Sequence, residues 1–264
     1  GLEVSEISLG GWVVGSELYR LSDEEARRLV NKALDLGINL FDTADVYGRG
    51  RSEELLGRWL RGHDVVISTK VGYDFYHFEK PTRRFDPDYL GWAAAKSAER
   101  LGRRPDILMI HNPPADAVRK TAPWLKAQRG TLARCVGAAL GPETYVLEEG
   151  LAALEAGLDA VMFVFNILEQ DPGREFIRRG GGGLLVRVPD ATGVGLTLAQ
   201  YAVKYVLSFP VASVVVTATA PEELEEYAAA SDGRPLPRDH LERLEELWRR
   251  HGATLSAAPS SGGR

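Results

Sequence analysis

A single cysteine, Cys135, stands among 264 residues, so no intramolecular disulfide forms and packing must hold the chain together. It lies in the apolar-leaning segment Thr131–Gly137, which predicts a buried packing role in preference to a reactive one. No apolar run approaches the ~20 residues needed to cross a bilayer, and no basic-then-apolar leader opens the sequence. With the lone thiol, these absences predict a cytoplasmic protein with no membrane partner. Positive charge is not in excess either. The 32 Lys and Arg against 37 Asp and Glu leave a net charge of -5, which argues against a nucleic-acid partner. The five histidines show no paired ligand spacing and one cysteine cannot complete a thiolate set, so no metal site is expected. Asn and Gln are scarce beside 26% charged residues, a thermophile-like composition that a GC-rich genome also produces. What is present, 44% hydrophobic residues, is enough for a sizeable core in one domain of about 250 residues.

Short apolar runs alternate with longer stretches of helical period, the pattern of a parallel sheet with crossover helices. Ser22 and Glu25 form a capping box, Ala26, Leu29, Val30, Ala33 and Leu34 follow at helical spacing, and Gly37 stops the helix. Strands are expected at Val4–Leu9, Ile38–Phe41, Val65–Thr69, Ile107–Ile110, Ala133–Gly137, Ala160–Phe165, Leu184–Val188 and Ala212–Val216. Eight strands, each followed by a helix, predict a closed (β/α)₈ TIM barrel spanning residues 1–252, with an extra C-terminal helix at Asp239–His251. Residues 253–264 are small, polar and rich in Gly and Ser, and are expected to form a flexible tail. A long insertion, Val71–Phe85, carries the aromatic cluster Tyr73, Phe75, Tyr76 and His77 and ends in basic residues. Those aromatics could wall a substrate pocket or pack as an ordinary loop on the barrel rim. Gly180–Gly183 precedes a strand, so it reads as a turn on the opposite face and not as a dinucleotide fingerprint.

Barrels of this type place their chemistry at the C-terminal strand ends. Strand two ends in Asp42, strand three in Lys70 and strand four in His111, with Tyr47 five residues beyond Asp42. Three ionisable residues capping three successive apolar strands are hard to explain as packing. The run Asp42-Thr43-Ala44-Asp45-Val46-Tyr47-Gly48-Arg49-Gly50-Arg51-Ser52-Glu53-Glu54-Leu55-Leu56-Gly57 resembles the aldo-keto reductase signature. Lys70 in Ser68–Gly72, His111 in Met109–Pro113 and the turn Gly10-Gly11-Trp12 resemble further parts of that family. The resemblance implies a catalytic Asp42, Tyr47, Lys70 and His111, and NADPH or NADH as hydride donor to a small carbonyl substrate. Free tyrosine is a poor acid at neutral pH, and an adjacent ammonium stabilises the phenolate left when it gives up its proton. In this scheme Lys70 supplies that charge, Asp42 holds it, and His111 donates a hydrogen bond to the carbonyl oxygen.

The second half departs from the family. The fifth strand usually ends in a Ser-Asn pair that holds the nicotinamide carboxamide, and here it reads Gly137-Ala138-Ala139-Leu140-Gly141; Met162 stands where a Gln is usual. The loop between Pro189 and Leu196 is shorter than the family's cofactor clasp, and Thr217-Ala218-Thr219-Ala220-Pro221 replaces a more basic or Ser-rich segment. By resemblance the cofactor would contact Gly11, Trp12, Asn112, Met162, Thr217 and Thr219, with weak dinucleotide binding and little preference for NADPH over NADH. Two other readings stay open. One is a regulatory relative that keeps the tetrad but binds nucleotide poorly; the other is a barrel enzyme that uses Lys70 as a Schiff base.

Overall fold

In a computed structural model, which describes residues 1–16, 18–141, 146–187 and 196–256, the alternation of apolar and amphipathic segments closes into a barrel. The chain opens with β1 (Ile7–Gly10), a one-turn helix α1 (Trp12–Gly15) and α2 (Asp23–Asp35). The capping box of α2 is present: the Glu25 amide donates to Ser22 Oγ and the Ser22 amide to Glu25 Oε2, which satisfies two otherwise orphaned N–H groups. β2 (Leu40–Asp42), α3 (Arg51–Trp59) and β3 (Val66–Val71) follow. The insertion after β3 is a small antiparallel hairpin, β4 (Tyr73–Asp74) and β5 (Thr82–Arg83). α4 (Pro87–Leu101) starts on an Asp86 cap with Pro87 in the first turn, where a missing N–H costs nothing.

Next come β6 (Ile107–His111), α5 (Ala115–Ala127), β7 (Cys135–Ala139), α6 (Leu147–Glu155), β8 (Ala160–Val164) and α7 (Gly173–Arg179). The chain continues through β9 (Gly183–Arg187), α8 (Leu196–Leu207), β10 (Ser213–Val216), α9 (Pro221–Ala229) and α10 (Arg238–Ser256). Among the described residues, eight parallel strands close in the order β1-β10-β9-β8-β7-β6-β3-β2. The last helix extends beyond the expected His251 end to Ser256; the rest of the expected tail, and the loop expected between Pro189 and Leu196, lie outside the described residues. None of the described helices is long and apolar enough to cross a membrane.

Strand side chains alternate between two faces, and this divides the core in two. Inward-facing Leu40, Val66, Ile107, Met109, Met162 and Leu185 pack with Ala139, Ala160 and Val215 as a plug inside the barrel. The outward-facing residues join the helices in a second, larger core that includes Leu9, Phe41, Ile67, Leu90, Leu108 and Val136. Gly181–Gly183 line a cavity of about 530 Å³ at the N-terminal mouth with Leu2, Val4 and Cys135, on the face opposite the strand C-termini. Cys135 is half-buried there, and burial pushes its thiol pKa up, which keeps it protonated and unreactive.

Candidate active site

The same alternation aims the polar strand ends. Asp42 shares parity with Leu40, Lys70 with Val66, and His111 with Ile107 and Met109, so all three continue the inward face one or two steps past the apolar plug. They are 3%, 1% and 6% exposed, too buried for ionisable groups to stand without partners. Lys70 Nζ donates to Asp42 Oδ2 at 2.5 Å and to the Thr43 carbonyl at 2.7 Å. Ser68 Oγ donates to the other Asp42 oxygen at 2.9 Å, so the carboxylate is fixed on both sides.

The loop after β2 carries Tyr47 over this pair. It runs along β3, with the Thr43 amide donating to the Ser68 carbonyl (2.7 Å) and the Asp45 amide to the Lys70 carbonyl (3.0 Å). Tyr47 then opens a tight turn, Tyr47–Gly50, in which Gly48 has φ 58° and a Cβ would overlap the Gly15 carbonyl; only glycine serves there. The turn brings Lys70 Nζ within 5.1 Å of the Tyr47 ring centre. The His111 ring meets the Tyr47 ring edge-on at 5.8 Å and the Tyr73 ring at 5.1 Å. Trp12, 45% exposed, leans over the same mouth 6.3 Å from Tyr47. Asp42, Tyr47, Lys70 and His111 therefore meet in one place, at the C-terminal mouth of the barrel.

Buried hydroxyls and charges brace that mouth. Thr43 Oγ1 donates to Ser52 Oγ (2.8 Å), which donates to the Gly11 carbonyl (2.7 Å). The Gly11 amide donates to the Asp42 carbonyl, and a Cβ at Gly11 would lie 2.9 Å from that oxygen. Glu53, fully buried, accepts from Thr69 Oγ1 (2.5 Å) and from Arg100 (2.8 Å), and Arg100 also donates to Tyr76 OH (2.7 Å). The sequence resemblance contained Ser52 and Glu53 without giving them a role; here they tie α3 to the strand ends. Of the aromatic cluster in the insertion, Tyr73 faces the site. Phe75 stacks on Tyr76, and Tyr76 and His77 pack on Trp92 of α4.

Asp45 has a different character. It is fully buried, and neither carboxylate oxygen has a hydrogen-bond partner among the described residues. Desolvation, and then the Glu53 charge, push its pKa well above the usual carboxylate range. Between about pH 4 and that raised value the folded chain holds one proton more than the unfolded chain, so this group lowers stability as pH rises. Asp45→Asn removes the titration. Unfolding free energies from urea titrations at pH 5 and pH 8 are expected to fall further with pH in the wild type than in the variant, by at most about 1.4 kcal/mol per pH unit. Equal slopes for the two proteins would show that Asp45 stays charged.

The residues expected to hold a nucleotide are spread more widely. Gly11 and Trp12 are at the mouth. Asn112 follows His111 with φ 51°, and its Nδ2 donates to Tyr73 OH at 3.2 Å. Met162 is fully buried inside the barrel plug, and Thr217 is half-buried at the end of β10. Thr219 is exposed, and its amide donates to Glu223 Oε2 at 2.8 Å. The carboxylate of Glu223 thus occupies the entrance to α9, where a helix N-terminus would otherwise favour a phosphate.

Comparison with known proteins follows this geometry. The family model described as Aldo/keto reductase family matches residues 6–170. A putative aldo-keto reductase from Pseudomonas aeruginosa has a similar structure, with TM-score 0.74 and 30% identity, covering 88% of this chain and 91% of that one. D-threo-aldose 1-dehydrogenase from a Pseudomonas species is 32% identical over 207 residues, 67% of this chain and 62% of the relative. A putative voltage-gated potassium channel subunit beta from Schizosaccharomyces pombe is 36% identical over 121 residues, 43% of this chain and 34% of that protein. The matched region is thus less than two thirds of the length of each of these two sequence relatives. With a family match across most of the chain and the barrel to go with it, this protein belongs to the aldo/keto reductase family.

Proposed function

We propose that the protein reduces an aldehyde or ketone to an alcohol, reversibly, with NADPH or NADH. The observation that carries this reading is the buried Lys70 ammonium, anchored by Asp42 and the Thr43 carbonyl and lying 5.1 Å from the Tyr47 ring. A bound nicotinamide supplies the hydride to the carbonyl carbon. As the carbon–oxygen π bond breaks, the oxygen takes the Tyr47 phenol proton, and the phenolate left behind is stabilised by Lys70. Asp42 keeps the ammonium in place against the cost of its burial. His111 orients the carbonyl by donating a hydrogen bond to its oxygen. Reduction of a panel of simple aldehydes, followed by loss of nicotinamide absorbance, tests the reading; failure across the panel with nucleotide bound would count against it.

Lys70 is poorly suited to Schiff-base chemistry. It is 1% exposed and gives two hydrogen bonds as an ammonium, so it has no free lone pair for attack. Borohydride is accordingly expected to trap no carbonyl compound on it.

Glu223 bears on the nucleotide. A dianionic 2′-phosphate at the α9 entrance would meet this carboxylate and its neighbour Glu222, each opposing it by roughly 1 kcal/mol in a solvated setting. We expect NADPH and NADH to bind within about tenfold of each other, or 1.4 kcal/mol. Calorimetry at fixed ionic strength checks this, and submicromolar NADPH with far weaker NADH would overturn it. The same observation favours a second reading, a regulatory barrel that binds nucleotide loosely and turns over little. The aldehyde panel separates the two.

A further inference from the structure

The β4–β5 hairpin has one face turned to the reaction centre, and a charge stands on it. In this antiparallel pair Tyr73 lies opposite Arg83 and Asp74 opposite Thr82. Directly opposed residues point to the same face of a sheet. The Tyr73 face is fixed by its ring, 5.1 Å from His111 and perpendicular to it, and by its hydroxyl, which accepts from Asn112 Nδ2. Arg83 leaves the hairpin on that same face, and its Nη1 donates to the Asn112 carbonyl at 3.2 Å, one residue beyond His111.

Two neighbouring arginines of this region are committed elsewhere. Arg84 pairs with Asp86 and Asp74, and Arg49 donates to the Phe75 and Glu79 carbonyls. Asp74, on the far face, is fully buried and held by His77 and Arg84, so it sends no free negative charge toward the site. Arg83 forms no ion pair among the described residues, and its side chain is exposed. A guanidinium has five N–H donors in a rigid fork, and one hydrogen bond to a carbonyl leaves most of that fork open.

We infer that Arg83 selects carbonyl substrates that carry a carboxylate, bound by its open fork while the reacting carbonyl lies between Tyr47 and His111. This rests on the reductase reading of the tetrad and adds the substrate class to it. The aromatic rings of Trp12, Tyr47 and Tyr73 suit a short apolar or aromatic spacer between the two groups. The pair is solvent-accessible, so its gain is moderate.

The test compares 4-carboxybenzaldehyde with benzaldehyde at fixed ionic strength, in wild type, Arg83→Gln and Arg83→Lys, by steady-state kinetics and by calorimetric binding without nucleotide. The wild type is expected to favour the carboxylated aldehyde by about tenfold in kcat/KM, or 1.4 kcal/mol, through KM, with a similar ratio in affinity. Arg83→Gln brings both ratios close to one, and Arg83→Lys, which keeps the charge but loses the fork, falls between. Equal binding of the two aldehydes by the wild type, or a preference that survives Arg83→Gln, overturns the assignment while leaving the reductase reading intact. Arg83-dependent binding of 4-carboxybenzaldehyde with no reduction of either aldehyde would do the reverse, keeping the anion site and removing the reductase reading.

Discussion

Tyr47→Phe is expected to lower kcat for aldehyde reduction by about 10²- to 10⁴-fold, the range a positioned general acid supplies, while the fold is kept. The ring contacts to Trp12, His111 and Lys70 survive in phenylalanine. The hydroxyl is not hydrogen-bonded to any described residue, so its removal leaves no buried partner unsatisfied. The melting temperature should therefore stay within about 2 °C of the wild type, and nucleotide affinity should change little. Steady-state kinetics beside thermal unfolding separates these outcomes. A variant that keeps most of the wild-type rate would mean that the proton comes from another group.

Lys70→Met should lose both activity and stability, for separable reasons. The rate falls by orders of magnitude because the phenolate loses its neighbouring positive charge. Stability falls by roughly 3–5 kcal/mol because Asp42, 3% exposed, is left as a buried carboxylate with its ion-pair partner gone. Adding Asp42→Asn to Lys70→Met removes that orphaned charge, so the double variant is expected to recover much of the lost stability and none of the activity. Urea midpoints of the two variants check the claim. If the single variant is no less stable than the double one, Asp42 and Lys70 do not act as a charged pair.

Strand ends were the most legible part of the sequence. The alternation that packs Leu40, Val66, Ile107 and Met109 inside the barrel also fixes the direction of Asp42, Lys70 and His111, so an apolar pattern was enough to group them. The capping box at Ser22 was an equally local signal, and it is present. Boundaries were harder where small residues blur the pattern. β7 was expected at Ala133–Gly137 and is found at Cys135–Ala139, because Gly137, Ala138 and Ala139 are weak strand formers whose place is set by pairing with β6 and β8. α7 begins only at Gly173, because Asn166 and Glu169 bridge each other and Pro172 takes the cap position.

The pairing of Tyr73 with Arg83 could not be read at all. Two strands of two residues carry no periodicity, and only the folded hairpin shows which of its basic residues faces the mouth. The closure of Thr219 by Glu223 was half legible: the acidic first turn of α9 was plain, but not that one carboxylate folds back onto the amide before the helix. Met162 illustrates the limit of analogy. Its strand parity puts it in the barrel plug beside Ala139 and Ala160, a setting that residue-by-residue comparison with a family motif does not convey.

The central claim is that this mouth moves a hydride onto a carbonyl carbon and a proton from Tyr47 onto its oxygen. Mass spectrometry of the alcohol formed from benzaldehyde, with a reduced nicotinamide nucleotide deuterated at its transferring position, tests it most directly. The account predicts one deuterium on the carbinol carbon in the wild-type product and, over the same time, at least about 10²-fold less labelled alcohol with Tyr47→Phe. Unlabelled alcohol from the wild type, or equal labelled product from the variant, would contradict it.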